Sequence, residues 1–282
     1  MTVVGLGPMG SKMAGTFLGA GHEVAVWNRT ASKAEPLIAQ GATRAASAAD
    51  GDLLVFSQLG YQAMHDSLAD ARLDGKVLVN LSSGTPDELR AAARWVTGRG
   101  GALITAGIMV PPPGIGQPGA YAFYSGPKDA LDRHTATLKA LGDVIYVGAD
   151  EGLAMMYYQA LLLIFWSSLT SHMHAMALLR TAGVSPLEFL PFARETFTQL
   201  GGDGVMGYAK ILAEEFAAGT YPGELNSLHM QAVGLGHAVE ALREAGLETT
   251  VPGALKELFE RADAEGRGHE GLGTVIESIR KP

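Results

Sequence analysis

Cysteine is absent from the 282 residues of this chain, which excludes disulfide bonds, thiolate metal sites and thiol nucleophiles. Positive charge is also scarce, because 21 Lys and Arg stand against 29 Asp and Glu, for a formal net charge of −8. An acidic chain is repelled by a phosphate backbone, so we expect no nucleic-acid partner. No basic n-region with an apolar leader precedes the first predicted strand, which favours a cytoplasmic location.

Charge is missing altogether from one long segment. No Asp, Glu, Lys or Arg occurs between residues 153 and 179, where a single helix would be about 40 Å long. About 20 apolar residues suffice to cross a membrane, so a membrane anchor is one interpretation. We reject it because the second half of the segment is polar and contains Ser167, Ser168, Thr170, Ser171, His172 and His174.

A helix without charge on any face has to be buried. The residues that follow position 179 are too few to enclose such a helix alone, so we expect a second copy of the chain to cover it. The sequence therefore predicts a homodimer with this helix at its centre and no membrane partner. His172 and His174 lie two positions apart on the helix and point in different directions. Without cysteine or a third ligand nearby, we expect no metal site.

A glycine-rich turn follows the first predicted strand, with the sequence Gly5-Leu6-Gly7-Pro8-Met9-Gly10. In such a turn one glycine makes the tight bend, one lets the backbone approach a pyrophosphate, and one lets helix and strand pack closely. The pyrophosphate then binds the N–H groups at the start of the following helix, which we expect near Met9. Because the motif lies between a β-branched strand and an apolar helix, it predicts a dinucleotide site formed by these six residues.

The residues after the second predicted strand indicate which dinucleotide binds. Asn28, Arg29, Thr30 and Lys33 stand there, and the first carboxylate is Glu35. An acid at this point would bond the ribose 2′-hydroxyl of NAD, whereas an arginine accommodates the 2′-phosphate of NADP. A solvated basic turn is the alternative, but the spacing from Gly10 favours NADPH.

Short β-branched runs alternate with helical stretches up to about residue 150, at residues 24–27, 53–58, 77–81, 103–109, 121–124 and 144–147. This alternation predicts an α/β Rossmann domain with a doubly wound, mostly parallel sheet, whose ligands bind beyond the carboxyl ends of the strands. From about residue 184 the spacing predicts helices, starting with a capping box at Ser185-Pro186-Leu187-Glu188 and continuing at residues 209–218, 226–245, 253–264 and 272–279. We expect a cofactor domain at 1–151, a long interdomain helix at 152–180 and an all-helical dimerisation and substrate domain at 181–282.

This arrangement resembles the β-hydroxyacid dehydrogenase superfamily and, within it, the imine reductases and reductive aminases. The resemblance rests on residues 5–10, 21–22, 27–30 with Lys33, 79–86, 107–109, 124–126 and 152–158, and more weakly on 174–175, 230–231 and 266–269. It implies an NADPH-dependent enzyme that transfers hydride from nicotinamide C4 to the carbon of a cyclic imine or iminium ion and gives an amine.

The residues at the start of the uncharged helix distinguish the hydroxyacid dehydrogenases from the imine reductases. The hydroxyacid dehydrogenases place there a lysine that protonates a developing alkoxide, with asparagine just beyond, whereas this chain has Met156, Gln159 and Ala160. Methionine cannot move a proton, which disfavours a hydroxy or keto acid substrate. That dehydrogenase activity and a non-catalytic NADPH-binding protein remain the alternatives.

Imine reductases carry aspartate or tyrosine two residues further on, and here Tyr158 stands at that position. A phenol with an ordinary pKa near 10 is protonated at neutral pH and can donate to a substrate nitrogen. The resemblance therefore implies Tyr158 as the polar anchor of the substrate, against the alternative of a plain core tyrosine.

The remaining site residues also follow from the resemblance. Ser83 replaces an asparagine with which reductive aminases bind ketone and amine together, and its shorter hydroxyl favours reduction of a preformed imine over amination. Leu59, Ser83 and Met109 are expected beside the cofactor. The substrate pocket is expected to contain Met109, Val110 and Pro112 from the Rossmann domain, Trp166 from the long helix, and Phe197, Met230 and Gln231 from the helical domain of the partner subunit. An ordinary core position is the alternative for each.

Overall fold

A computed structural model of the chain describes residues 1–69 and 71–280. By contacts the chain divides into two compact units, Met1–Ile164 and Phe165–Pro282. The boundary between them falls inside one long helix.

The first unit is built on an eight-stranded sheet. Its strands are β1 (Thr2–Val4), β2 (Ala25–Trp27), β3 (Thr43–Arg44), β4 (Leu53–Phe56), β5 (Val77–Asn80), β6 (Ala102–Ile108), β7 (Tyr121–Ser125) and β8 (Asp143–Gly148). They are ordered β3-β2-β1-β4-β5-β6-β7-β8, and only the β6–β7 pair is antiparallel. The predicted doubly wound, mostly parallel sheet is confirmed.

Helices cover both faces of this sheet. They are α1 (Pro8–Gly19), α2 (Glu35–Ile38), α3 (Tyr61–Leu68), α4 (Pro86–Thr97), α5 (Lys128–Asp132) and α6 (Thr135–Leu138). One hydrophobic cluster packs Met13 and Phe17 of α1 and Leu138 of α6 against the sheet, and a second packs Met64 of α3 and Leu89 of α4. Strands β4 and β5 are buried at every position, which explains their uninterrupted apolar sequences.

The predicted uncharged helix is α7, Leu153–Thr181, with 29 residues. By length and composition alone it could cross a membrane. Only Ala154 and Met155 are buried, and in its most apolar 18-residue window 11% of the residues are buried within the chain. The apolar side chains of Leu163, Ile164, Phe165 and Trp166 in this helix are each more than half exposed in the single chain.

The second unit is helical, as predicted. Its further helices are α8 (Pro186–Leu200), α9 (Tyr208–Ala218), α10 (Leu228–Glu244), α11 (Thr250–Ala262) and α12 (Val275–Ile279). The capping box is present at the start of α8, where Ser185 accepts from the Leu187 N–H and Glu188 accepts from the Ser185 N–H. Leu228, Ala262 and Val275 form a small core between α10, α11 and α12.

Candidate active site

The glycine turn after β1 has the shape that a dinucleotide needs. Gly5 adopts φ +93°, which suits glycine because a side chain would be strained there. A Cβ at Gly10 would lie 1.8 Å from the Gly5 carbonyl oxygen, so helix and turn are in direct contact. At Gly7 no atom lies within 4 Å of the Cβ position. The turn is therefore tightly packed on its inner side and open on the side where a pyrophosphate would approach.

Helix α1 begins at Pro8 with its first N–H groups available to an anion. Gly7 is the N-cap residue and offers no side chain to cap the helix, and the first turn contains no acid. The first N–H groups of a helix have no partners within the helix, and they carry the positive end of its dipole. Backbone and dipole at Met9 and Gly10 therefore fit the cofactor's diphosphate.

Asn28 holds the loop after β2 against this turn. Its Oδ1 accepts from the Leu6 N–H at 2.9 Å, and its Nδ2 donates to the Thr30 carbonyl oxygen at 3.0 Å. Arg29, which lies between Asn28 and Thr30 in the sequence, is exposed. Within residues 1–69 and 71–280 its side chain has no hydrogen bond or ion pair. The loop that carries Arg29 is thus held against the dinucleotide turn.

Lys33 lines a groove of about 450 Å³ between α1 and the segment after β2. The groove is also lined by Lys12, a residue that the sequence reasoning missed. Lys12 could have been found from the sequence, because Ser11, Lys12, Gly15 and Thr16 are spaced as residues on one face of a helix are. Glu35, the nearest acid along the chain, pairs with Arg44 at 2.6 Å. The cations here are therefore available to a phosphate.

Two neighbouring strands end in loops that are tied together. After β4, the Gln58 N–H donates to Ser82 Oγ at 3.0 Å, and the Ser82 N–H donates to Asn80 Oδ1 at 2.8 Å. Leu59 is fully exposed at the tip of the first loop, and Ser83 is exposed in the second. Both side chains lie beyond the carboxyl edge of the sheet, where ligands of such folds bind.

Tyr158 lies against the end of β6. A Cβ at Gly107 would lie 2.6 Å from the Tyr158 Cβ and 3.0 Å from its Cγ, so only glycine leaves room for this side chain. Tyr158 is half-buried, whereas the neighbouring Tyr157 packs its ring on Phe123 with centroids 5.1 Å apart. Met109 follows Gly107 by two residues. The structure thus brings Tyr158 and Met109 to the same edge of the sheet.

Buried hydroxyls anchor the beginning of α7, and the sequence reasoning did not single them out. Ser125 Oγ accepts from the Ala154 N–H at 3.0 Å, and Thr105 Oγ1 donates to the Glu151 carbonyl oxygen at 2.5 Å. The two hydroxyls are 2.8 Å apart. In the sequence each is a hydroxyl residue within a predicted apolar strand, and a buried hydroxyl needs a hydrogen-bond partner. They fix the helix that carries Tyr158.

An ion pair fixes the same helix from α4. Arg90 donates to both oxygens of Asp150, at 2.8 and 2.7 Å, and the Gly152 N–H donates to this carboxylate at 2.9 Å. The Arg90 hydrogen bonds lower the pKa of Asp150 to about 2. The turn that leads into α7 is therefore held by charge as well as by hydroxyls.

We expect Asp150→Asn to weaken the dependence of the free energy of unfolding on pH in the acid range. The folded pKa of Asp150 lies below the unfolded value near 3.9, so its contribution is complete above about pH 4 and is lost as pH falls through about 2. The pair is partly exposed, so the loss at neutral pH is about 1 kcal/mol or less. Melting temperatures from pH 7 to pH 2 measure this effect. Asp74→Asn, which removes the exposed partner of Arg72, is the control; equal profiles for both variants would contradict the assignment.

The other predicted pocket residues lie at several places. Val110 and Pro112 follow β6 in the first unit and are half-buried. In the second unit Trp166 and Met230 are 57% and 61% exposed, so neither is an ordinary core residue within one chain. Gln231 donates to the Asn226 side chain, and Phe197 meets the His172 ring edge-on with centroids 5.8 Å apart.

The two histidines of α7 have different partners, as their spacing predicts. His172 stacks on Phe189 with centroids 5.9 Å apart. His174 Nδ1 lies 2.9 Å from the Thr170 carbonyl oxygen, and its Nε2 lies 3.6 Å from Glu248. The two imidazole rings thus contact different residues of the second unit.

Two family models together match nearly the whole chain. Residues 1–148 match the NAD binding domain of 6-phosphogluconate dehydrogenase, and residues 150–281 match the C-terminal domain of NADPH-dependent reductive aminase-like proteins. The NADPH-dependent reductive aminase of Aspergillus oryzae is 33% identical over 291 residues, which cover 99% of this chain and 96% of that protein.

Solved structures agree with these matches. The imine reductase of Streptomyces aurantiacus superposes with a TM-score of 0.93 at 38% identity, covering 99% of both chains. A reductive aminase from Aspergillus terreus in complex with NADPH4, cyclohexanone and allyl amine superposes with a TM-score of 0.89 at 38% identity, covering 99% of this chain and 98% of that chain. The resemblance noted in the sequence is confirmed, and the chain belongs to the family of NADPH-dependent imine reductases and reductive aminases, oxidoreductases that act on C=N bonds.

Proposed function

We propose that this enzyme reduces preformed cyclic imines and iminium ions to amines, with Tyr158 as the group that binds the substrate nitrogen. The observation that carries this proposal is the packing of Tyr158 on Gly107, which holds a phenol beyond the carboxyl edge of the sheet. Met156, at the position of the dehydrogenase lysine, offers no proton and is 47% exposed. A carbonyl substrate would lack a proton donor at that position.

The geometry of the first unit supports a proposal for the cofactor site. Bound NADPH supplies the hydride. Its diphosphate would meet the turn and the start of α1, its 2′-phosphate would meet Arg29 and Lys33, and its nicotinamide end would lie near Leu59, Ser83 and Met109. The residues proposed to hold it are Gly5, Leu6, Gly7, Pro8, Met9, Gly10, Asn28, Arg29, Thr30, Lys33, Leu59, Ser83 and Met109.

Tyr158 has two tasks in this mechanism. Its hydroxyl donates a hydrogen bond to the imine nitrogen and so orients the C=N carbon toward the hydride donor. With a neutral imine, the nitrogen gains a proton from the phenol as the carbon gains hydride, and the phenol is restored from solvent. An iminium ion already carries the positive charge and needs only the hydride. Met109 and Val110 add apolar surface that limits water, because water would hydrolyse an imine.

Ser83 is proposed to act beside Tyr158 with a short hydroxyl. We expect Ser83→Asn to raise the rate with separate ketone and amine relative to the rate with the preformed imine. One added hydrogen bond of about 1 kcal/mol corresponds to about a fivefold gain. Rates with cyclohexanone plus allyl amine, against those with a cyclic imine, measure the ratio, and Ser47→Asn, a change at an exposed serine before β4, is the control. An unchanged ratio would contradict this role of Ser83.

A homodimer is proposed from the open surface of α7. Leu163, Ile164, Phe165 and Trp166 are 65%, 64%, 54% and 57% exposed in the single chain, and a second copy would remove this apolar surface from water. In the dimer, Trp166, Phe197, Met230 and Gln231 would line a substrate pocket shared between subunits. We also propose that residues 1–151 bind the cofactor, that 152–180 connect the domains, that 181–282 dimerise and bind substrate, and that the enzyme is cytoplasmic.

Light scattering without detergent is expected to give twice the mass of one chain. Leu163→Glu should shift the protein toward the monomer, because the dimer would bury this charge. Leu225→Glu changes a leucine that is 96% exposed outside α7, and it should leave the mass unchanged. A parent protein that is monomeric without detergent would refute the dimer. A parent protein that stays in solution only with detergent would refute it as well and would favour a membrane span.

One assay tests the proposed activity directly. NADPH oxidation, followed by absorbance, is compared for a small cyclic imine and for a 3-hydroxy or keto acid under the same conditions. We expect turnover with the imine and little with the acids. Turnover of the acids at matching rates would overturn the choice of substrate, and binding of NADPH without oxidation by any imine would indicate a non-catalytic protein.

A further inference from the structure

The side chain of Gln159 ties the start of α7 to the loop after β5. Its Nε2 donates to the Gly84 carbonyl oxygen at 2.8 Å, across 75 residues of sequence. Gln159 directly follows Tyr158, and Gly84 directly follows Ser83. This single hydrogen bond therefore joins the two segments that carry the two polar residues proposed to contact the substrate.

The loop that receives this bond is fixed at both ends by other contacts. At its beginning Ser82 accepts from the Gln58 N–H at 3.0 Å. At its end Thr85 and Glu88 form a capping box for α4. Between them, a Cβ at Gly84 would lie 3.0 Å from Leu89. The Gly84 carbonyl is thus a well-placed acceptor, and the contact from Gln159 sets where α7 lies relative to it.

Consecutive helical residues point about 100° apart. The side chain of Tyr158 packs on Gly107 at the end of β6. The side chain of Gln159, about 100° further round the helix, reaches the loop after β5. Strands β5 and β6 are neighbours in the sheet. Two adjacent side chains therefore contact two adjacent strand ends, and together they fix the rotation of α7 about its axis.

We infer that Gln159 is a positioning residue for imine reduction. It fixes the distance and orientation between the phenol of Tyr158 and the hydroxyl of Ser83. These two groups then hold the C=N bond in a reactive orientation toward the hydride donor. The inference rests on the proposed function, because it takes Tyr158 as the group that binds the nitrogen. Displacement of a reacting group by about 1 Å can lower a rate by about 100-fold.

The first test is a double-mutant cycle with Gln159→Leu and Tyr158→Phe. Leucine fills similar space but cannot donate, so we expect kcat for a cyclic imine to fall by about 10- to 100-fold, with the Kd of NADPH from calorimetry unchanged. In the Tyr158→Phe background the same change should cost little, because the group that it positions is gone. Gln62→Leu, which removes an exposed amide bonded to Asp66, is the control.

The second test uses Gln159→Glu, which keeps the shape of the side chain. A carboxylate cannot donate to a carbonyl oxygen, but a protonated carboxyl can. The deficit in kcat relative to the parent should therefore shrink as pH is lowered from 8 toward 5, as stopped-flow measurements can follow, whereas the deficit of Gln159→Leu should not.

Three results would overturn the inference. They are an unchanged kcat in Gln159→Leu, an equal loss in both backgrounds of the cycle, and a rise in the NADPH Kd that accounts for the whole effect. Failure of the proposed function has a different signature, since the parent protein itself would then oxidise no NADPH with an imine, and the inference would fall with it.

Discussion

Tyr158→Phe is expected to lower kcat/KM for a cyclic imine by about 100-fold or more, which is the usual contribution of a positioned proton donor. Phenylalanine keeps the ring that packs on Gly107, so the fold and the Kd of NADPH should be unchanged. The hydroxyl is lost, and with it the hydrogen bond that orients the nitrogen and the proton that the nitrogen gains. Steady-state NADPH oxidation and calorimetric NADPH binding measure the two quantities.

The neighbouring tyrosine provides a matched control. Tyr157→Phe removes the same atom one residue earlier, from a ring that packs on Phe123, and it should leave imine reduction close to that of the parent. Equal losses in the two variants would refute the role of Tyr158. A permanently charged N-alkyl iminium ion adds a further distinction, because its reduction needs no proton. A much smaller loss on that substrate is expected if Tyr158 delivers the proton.

The fold was predictable where the sequence pattern is local and strong. Strands β4 and β5 are apolar at nearly every position because both faces of the sheet are covered, and the glycine turn with its flanking strand and helix is encoded within residues 1–21. Strand β3 was missed because it has two residues, Thr43 and Arg44, both exposed. Such a short edge strand has no periodicity, and only its pairing with β2 defines it.

The site was less predictable, because its geometry depends on contacts between distant residues. The resemblance to imine reductases implies Tyr158 as the polar anchor, but not that it packs on Gly107. Thr105 and Ser125 resemble ordinary strand residues until the structure shows that they bind the turn before α7. Local patterns reveal which residues can perform chemistry, whereas the residues that hold them in place emerge only from the packing of the chain.

Arg29 and Lys33 should determine the preference for NADPH over NADH. Arg29 is exposed beside the dinucleotide turn, held there by the two hydrogen bonds of Asn28, and Lys33 lines the adjacent groove. Glu35, the acid that could otherwise neutralise them, is engaged by Arg44. Hydrogen bonds to a charged group contribute about 1.5–3 kcal/mol each, so these two cations make the largest identifiable difference between the two cofactors.

The double change Arg29→Ala with Lys33→Ala is therefore expected to raise the Kd of NADPH by about 100-fold or more, while the Kd of NADH, which has no 2′-phosphate, changes little. Titration calorimetry with both cofactors, and with 2′,5′-ADP against 5′-AMP, measures the difference without turnover. The chain offers a control with the same residue types at the same spacing: Arg72→Ala with Lys76→Ala removes a pair just before β5, at the amino edge of the sheet. Because that edge faces away from the cofactor turn, the control should bind NADPH as the parent does. Equal weakening of NADPH and NADH by the first pair would show that these cations stabilise the loop and not the phosphate.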